Sequence, residues 1–285
     1  MNYYLEKKDT KLHKRLSPLF KYFNYNEDIS KTNFIIYPEI IWGKSYLETI
    51  KIIFSFMIKY KKYIIENRKV IFFLNCDFRD PLYLKNTIIF RTSIEYSKLQ
   101  VNERILPIIW PEKLGKFTYF LDQNNPLPIV GFCGCLKTNK FRKIVSDLIK
   151  NNKEIQDNFI LRNTFLATDI PDKEQTKNDF YKNINESHFT LCLNGSGNFS
   201  IRFYQTLSLG RIPIFLETDN ILPFKNEIDW ENTIIMDKNP KNLVEKIIYC
   251  YQNEDIIKKQ KKCLEIFNKY FTFNAFSLKM RDLIK

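Results

Sequence analysis

"FTLCLNGSGNFSIRFYQTLSLGRIPIFLETDNILPF", residues 189–224, decides how the chain is read. It opens on an apolar run of the kind found in strands buried on both faces, and the run stops at Asn194. Gly195, Ser196 and Gly197 follow, small residues that let backbone amides come close to a ligand. Asn198 or Ser200 then caps a predicted helix over 198–209, in which Phe199, Phe203 and Leu207 recur every four residues and turn one apolar face to a sheet. Gly210 suits the residue that follows a helix end, and "RIPIFL" returns as a parallel strand with Glu217, Thr218, Asp219 and Asn220 at its carboxyl end.

Strand, small-residue turn and helix start are the parts of an anion site, because first-turn amides present free N–H groups. Arg202, in that first turn, offers a planar fork of donors that suits a diphosphate. Gln205, three residues on, shares its face and is placed to hydrogen-bond ribose hydroxyls. The same spacing also serves plain α/β packing, with Arg202 on a helix surface and Asp219 making an Asx turn, and the residues alone leave both readings open.

Outward from this stretch the chain alternates extended and helical patterns, which predicts an α/β fold. In the first half, 33–38, 69–75 and 86–91 read as strands, 44–66 as a helix and 104–111 as a short apolar run. A looser segment over 112–127, rich in proline and asparagine, is the linker candidate. Beyond it strands at 127–134, 158–162, 188–193, 211–216 and 232–236 alternate with helices at 138–151, 173–186, 198–209, 239–252 and 254–270. This predicts an N-terminal α/β domain over 1–122 and a C-terminal one over 123–285.

The length of 285 residues allows two such cores. The formal charge of +13 attracts polyanions, phosphorylated ligands or anionic lipid. The excess is scattered lysine without the aromatic–arginine interleaving of nucleic-acid modules, so no specific nucleic acid is expected as a partner. The six cysteines are spread through hydrophobic segments and read as free thiols of a reducing, cytoplasmic compartment. A lone C-x-C (Cys133, Cys135) and two histidines, His13 and His188, make no zinc set, and no metal is expected. The opening "MNYYLEKKDTKLHKR" has no apolar leader core, and "YLETIKIIFSFMIKYKKYII" holds too many charges for a bilayer core, reading instead as an amphipathic helix. Peripheral contact with an anionic membrane is the form any membrane association would take.

Phe189, Leu191, Gly195, Ser200, Arg202, Leu207, Gly210, Ile212, Pro213, Asp219, Leu222, Pro223 and Phe224 resemble, in order, the C-terminal signature of the exostosin-like glycosyltransferases. The resemblance continues into "IDWENTIIM" and covers the last 160 residues or so, with Gln205 standing where that pattern has glutamate. It implies a GT-B architecture: two Rossmann-like domains facing across a cleft, and a last helix, about 272–285, crossing back to the N-terminal domain. It also implies a UDP- or GDP-sugar donor as substrate, no other cofactor, and a glycan or glycoconjugate acceptor. Donor contacts then fall on Asn194, Gly195, Ser196, Gly197, Ser200, Arg202, Gln205, Asp219 and Asn220. Gly131, Gly134 and Arg162 join them by position at strand ends. Arg91 and Ser93 end a strand of the first domain in the same way.

Inverting transfer without a metal needs positive charge for the leaving diphosphate, supplied by Arg202, and a base for the acceptor hydroxyl. The sequence has no D-x-D pair between apolar strands. Asp77, directly after a buried strand, is the first candidate base, with Glu95 and Glu103 as alternatives. A catalytically degenerate family member, or a basic nucleotide- or polyanion-binding protein without turnover, is the competing reading.

Overall fold

The structure, a computed structural model, describes residues 1–5, 17–66, 68–107, 117–164 and 168–284. The expected apolar run past 107 and the linker over 112–116 lie outside the described residues. The chain divides into two compact units, Met1–Ile109 with Tyr270–Lys285, and Trp110–Lys269.

The first unit holds a six-stranded parallel sheet, ordered β2-β1-β3-β4-β5-β6. Its strands are β1 (Asn2–Leu5), β2 (Asn24–Tyr25), β3 (Phe34–Trp42), β4 (Lys69–Asn75), β5 (Thr87–Arg91) and β6 (Glu103–Ile105). The predicted strand at 33–38 extends to Trp42 because a register shift between Ile36 and Ile40 absorbs Pro38, which has no N–H for a ladder. After β3 come α1 (Tyr46–Lys59) and α2 (Lys61–Ile65). Ser45 starts α1 with a full capping box to Glu48, and Tyr60, off helical geometry, separates the two where one helix over 44–66 is expected. Val70, Phe72 and Leu74 of β4 pack with Ile53, Phe56 and Ile64 of these helices in one apolar cluster.

The second unit has a five-stranded parallel sheet, ordered β11-β10-β9-β7-β8. The elements run β7 (Ile129–Gly134), α3 (Lys140–Lys150), β8 (Gln156–Leu161), α4 (Lys173–Asn185), β9 (Phe189–Leu191), α5 (Arg202–Ser208), β10 (Ile212–Leu216), β11 (Ile235–Asp237), α6 (Pro240–Asn253) and α7 (Ile256–Ile266). Numbered within the unit this is the doubly wound order 2-1-3-4-5, whose topological switch lies between β7 and β9. Each unit is thus a Rossmann-like α/β layer structure, as the sequence predicts.

The segment 117–125 is bonded into the second unit. The Leu121 N–H donates to Gln260 Oε1 at 3.0 Å and its carbonyl accepts from Gln260 Nε2 at 2.6 Å. His188 Nδ1 accepts from the Ile129 N–H at 3.0 Å, so Nε2 carries the ring proton and donates to the Asp122 carbonyl at 2.8 Å.

The last helix, α8 (Phe273–Ile284), belongs to the first unit. Ser277 Oγ donates to the Leu19 carbonyl at 2.6 Å, and the Phe276 ring meets Phe90 edge-on at 6.5 Å. The "NKYF" break ahead of it is a π-helical turn, Phe267–Phe271. Among the described residues no helix is long and apolar enough to cross a membrane.

Candidate functional site

The β7–β9 ladder pairs Val130 with Phe189 and Gly131 with Thr190, and goes no further. Past that point the strands part, and two arginines take their carbonyls. Arg202, the first residue of α5, donates from one terminal nitrogen to the Leu191 carbonyl at 3.1 Å and from the other to the Cys133 carbonyl at 2.6 Å. Arg142, from α3, donates to the carbonyls of Cys135 (3.1 Å), Leu193 (3.1 Å) and Asn194 (2.9 Å). The Phe132 ring has a guanidinium over it from each, at 4.4 Å for Arg202 and 5.7 Å for Arg142.

Both side chains are buried, and no carboxylate among the described residues pairs with either. Burial lowers the Arg202 pKa; burial, and next the charge of Arg202, lower that of Arg142 to about 10. A guanidinium keeps its proton in proteins, so both are cations. Arg202 Nε is buried without a hydrogen-bond partner. Two guanidinium charges with no carboxylate partner among the described residues thus lie together at the switch point.

The glycines around it answer to close approach. A Cβ on Gly134 would fall 2.9 Å from Arg202 Nη2, and one on Gly195 3.1 Å from Arg142 Nη2. Gly131 is a packing position, since a Cβ there would overlap Ser187 and come within 3.0 Å of the Asn183 carbonyl. Of the turn, Ser196 is exposed while Gly197, Asn198 and Ser200 are buried.

An amide network ties the 194–198 loop to the turn after β10. Asn194 Nδ2 donates to Thr218 Oγ1 at 2.7 Å and to Asn198 Oδ1 at 3.2 Å, and its Oδ1 accepts from Asn220 Nδ2 at 3.2 Å. Asn198 Nδ2 reaches the Asp219 carbonyl at 3.1 Å, with Asp219 in the left-handed region at φ 59°. This use of Asn198 corrects the expected cap: α5 starts at Arg202 after Ile201, with no side-chain cap from Asn198 or Ser200. The other end of α5 is as expected. Gly210 takes φ 60°, its N–H bonds the Leu207 carbonyl, and the Arg211 N–H bonds the Thr206 carbonyl, a Schellman closure.

Gln205 lies inside, its Nε2 3.4 Å from Tyr181 Oη of α4 and its Oε1 buried without a partner. Arg162, past the end of β8, is held by an ion pair with Asp179 of α4 at 2.6 Å. The structure therefore gathers Gly134, Asn194, Gly195, Arg202, Asp219 and Asn220 at the carboxyl ends of β7, β9 and β10. It turns Gln205 and Arg162 toward α4.

In the first unit Asp77 is exposed, two residues past β4. Glu103 is excluded as a base by its surroundings: it is buried, paired with Arg91 at 2.6 Å, and accepts the N–H groups of Leu82 and Gln100. Arg91 is spent in the same cluster, donating also to the carbonyls of Phe78 and Asp80, and Ser93 beside it is buried. Glu95 bonds Lys98 at 2.6 Å and Arg79 at 3.3 Å; the Lys98 bond chiefly holds its pKa below the usual carboxylate value. Among the described residues no group of three or more His, Cys, Asp or Glu is placed to hold a metal ion.

Arg142 is the residue that the sequence reading misses. Its signal is visible in retrospect, since Arg142, Val145, Ser146 and Ile149 form the buried stripe of α3, and an arginine on an apolar stripe asks for a partner.

The Exostosin GT47 domain matches residues 132–247. The chain is 26% identical over 83 residues to "Probable glucuronosyltransferase 47 A" of Physcomitrium patens, covering 29% of this chain and 18% of that one. A probable glucuronosyltransferase of Oryza sativa subsp. japonica is 28% identical over 83 residues, 29% of this chain and 19% of its own. The chain thus matches under a fifth of the length of these curated relatives. Among solved structures, TarM is similar at a TM-score of 0.45 and 10% identity over 99% of this chain and 50% of that one. WaaG, described as a glycosyltransferase involved in lipopolysaccharide biosynthesis, is similar at 0.43 and 8% over 100% of both. Both likenesses are too distant to bear on the site. Residues 132–247 are similar to the Exostosin GT47 domain, and β9, the 194–198 loop and Arg202 lie within that stretch.

Proposed function

We propose that the chain is a glycosyltransferase which takes a sugar from a UDP- or GDP-sugar and passes it to a hydroxyl of a glycan or glycoconjugate, with inversion and without a metal. The observation that carries this is the pair of buried guanidinium groups, Arg202 and Arg142, on the parted ends of β7 and β9. Open α/β sheets bind ligands in the crevice at such a switch point. A nucleotide diphosphate on the 194–197 loop would supply the anion that the two cations lack, and the amide network from Asn194 to Asn220 would hold that loop in shape.

In the transfer the acceptor oxygen attacks the anomeric carbon, the bond from that carbon to the diphosphate breaks, and the electron pair leaves with the phosphate. Arg202 and Arg142 lower the energy of that developing charge from fixed positions, so no reorganisation is needed as the bond breaks. The acceptor proton passes to a base. Asp219 and Asn220 are proposed to bind the rest of the donor, Gln205 being turned toward α4. That the matched curated relatives are described as probable glucuronosyltransferases supports sugar transfer as the class of reaction and leaves the donor sugar open.

A thermal-shift panel of UDP- and GDP-sugars, followed by turnover with the tightest binder, tests the reading. Stabilisation by one nucleotide sugar and its consumption with an acceptor are expected. Binding without any turnover would assign a nucleotide-binding role instead, and no binding at all would remove the donor site.

A further inference from the structure

Helices α1 and α2 carry two apolar faces where a surface helix needs one. Ile53 and Phe56 of α1 and Ile64 of α2 point into the core of the first unit. Leu47, Phe54 and Ile58 stand in water, exposed by 69%, 49% and 70%, and Ile65 of α2 by 68%. The separations from Leu47 to Phe54 and from Phe54 to Ile58, seven and four residues, put the α1 side chains on one line, opposite the buried one. Trp42, half exposed, stands in the approach to α1.

The charge around this line is in positive excess. Lys51, four residues after Leu47 and three before Phe54, lies along it, and Lys61 and Lys62 open α2; all three are exposed. The nearby carboxylates are already engaged, Glu48 with Ser45 and Lys44, Glu66 with Arg68. A second copy of the chain is a poor occupant, because an isologous contact would press these lysines against their own mates. An anionic bilayer suits both parts: the apolar side chains enter the boundary of headgroup and acyl chain, and the lysines, their stems along the apolar surface, meet lipid phosphates.

We propose that the outer face of α1 and α2 seats the protein on an anionic membrane surface, with Leu47, Phe54, Ile58 and Ile65 as the inserted groups and Lys51, Lys61 and Lys62 as the headgroup contacts. This surface is separate from the crevice residues and stands whether or not the donor reading does.

Sedimentation of the full chain with phosphatidylcholine vesicles, with and without phosphatidylglycerol, tests it. Binding to the anionic vesicles alone, weakening as salt rises, is expected. Phe54→Ser with Ile58→Ser should weaken that binding by roughly tenfold or more, and Lys51→Gln with Lys61→Gln and Lys62→Gln by roughly tenfold or more. Melting temperature, and affinity for UDP or GDP, should not change in either variant, since all five side chains are exposed. Wild-type protein that ignores anionic vesicles, or variants that bind them as well as wild type, would overturn the proposal. So would a dimer that the serine variant dissolves in the absence of vesicle binding.

Discussion

Arg202 and Arg211 stand nine residues apart in the second unit, both buried, and neither has a carboxylate partner among the described residues. Their surroundings differ. Arg211, at the amino end of β10, directs its N–H groups at five acceptors: the Asn185 carbonyl from two nitrogens, the carbonyls of Tyr119, Leu209 and Gly210, and Gln260 Oε1. Asn185 ends α4 and Leu209 follows α5, so two helix carboxyl ends bring negative dipole to that cation. Arg202 opens α5, where the dipole brings none; it makes two bonds, and its Nε makes none. Arg211 is a satisfied clamp, and Arg202 is a cation short of an anion.

The difference can be broken from either side. Arg211→Ala should cost the most in stability, about 3–5 kcal/mol or failure to fold, because it orphans several buried carbonyls at once. Chemical denaturation reads this, and folded Arg211→Ala protein should still bind nucleotide as wild type does. Arg202→Gln should reverse the pattern: about 1–2 kcal/mol of stability for the lost carbonyl bonds, but about 2–3 kcal/mol of diphosphate affinity, the worth of a charge-assisted contact. Gly134→Ala sharpens the same point without removing a charge. Its Cβ would meet Arg202 Nη2 at 2.9 Å and displace it, for about tenfold weaker nucleotide binding by calorimetry, or about 1.4 kcal/mol.

The smallest effect belongs to His188, near Arg211. Burial, more than the charge of Arg211, holds its pKa below 6.5, and both ring nitrogens are bonded in the neutral form. A base with a depressed pKa in the fold binds its proton more readily when unfolded. Its contribution is therefore present above about pH 6.5 and is lost as pH falls from there through the folded value. The melting temperature should drop between pH 7 and pH 5 in wild type, and by less in His188→Gln.

The α/β class and the strands of the second unit were legible because buried strands read as apolar runs between amphipathic helices, and because Gly210 marks a helix end. Residues 189–224 also mark the strand ends at which Asn194, Gly195, Arg202, Asp219 and Asn220 gather. What stayed hidden depends on contacts distant in the sequence. Arg142 meets Asn194 fifty-two residues away, and nothing local says that its helix face turns toward that loop. Asn198 read as a cap because capping is a local rule, whereas its amide goes to Asp219 across the sheet end. Glu103 looked available until burial and Arg91 were seen together.

Calorimetric titration of wild type and Arg202→Gln with UDP and UMP, and with GDP and GMP, tests the central claim most directly. The account predicts that wild type prefers one diphosphate over its monophosphate by tenfold or more, about 1.4 kcal/mol or above, and that Arg202→Gln loses that preference while keeping its fold. Equal preference in the two proteins would show that the parted ends of β7 and β9 hold no diphosphate, and the account would fail.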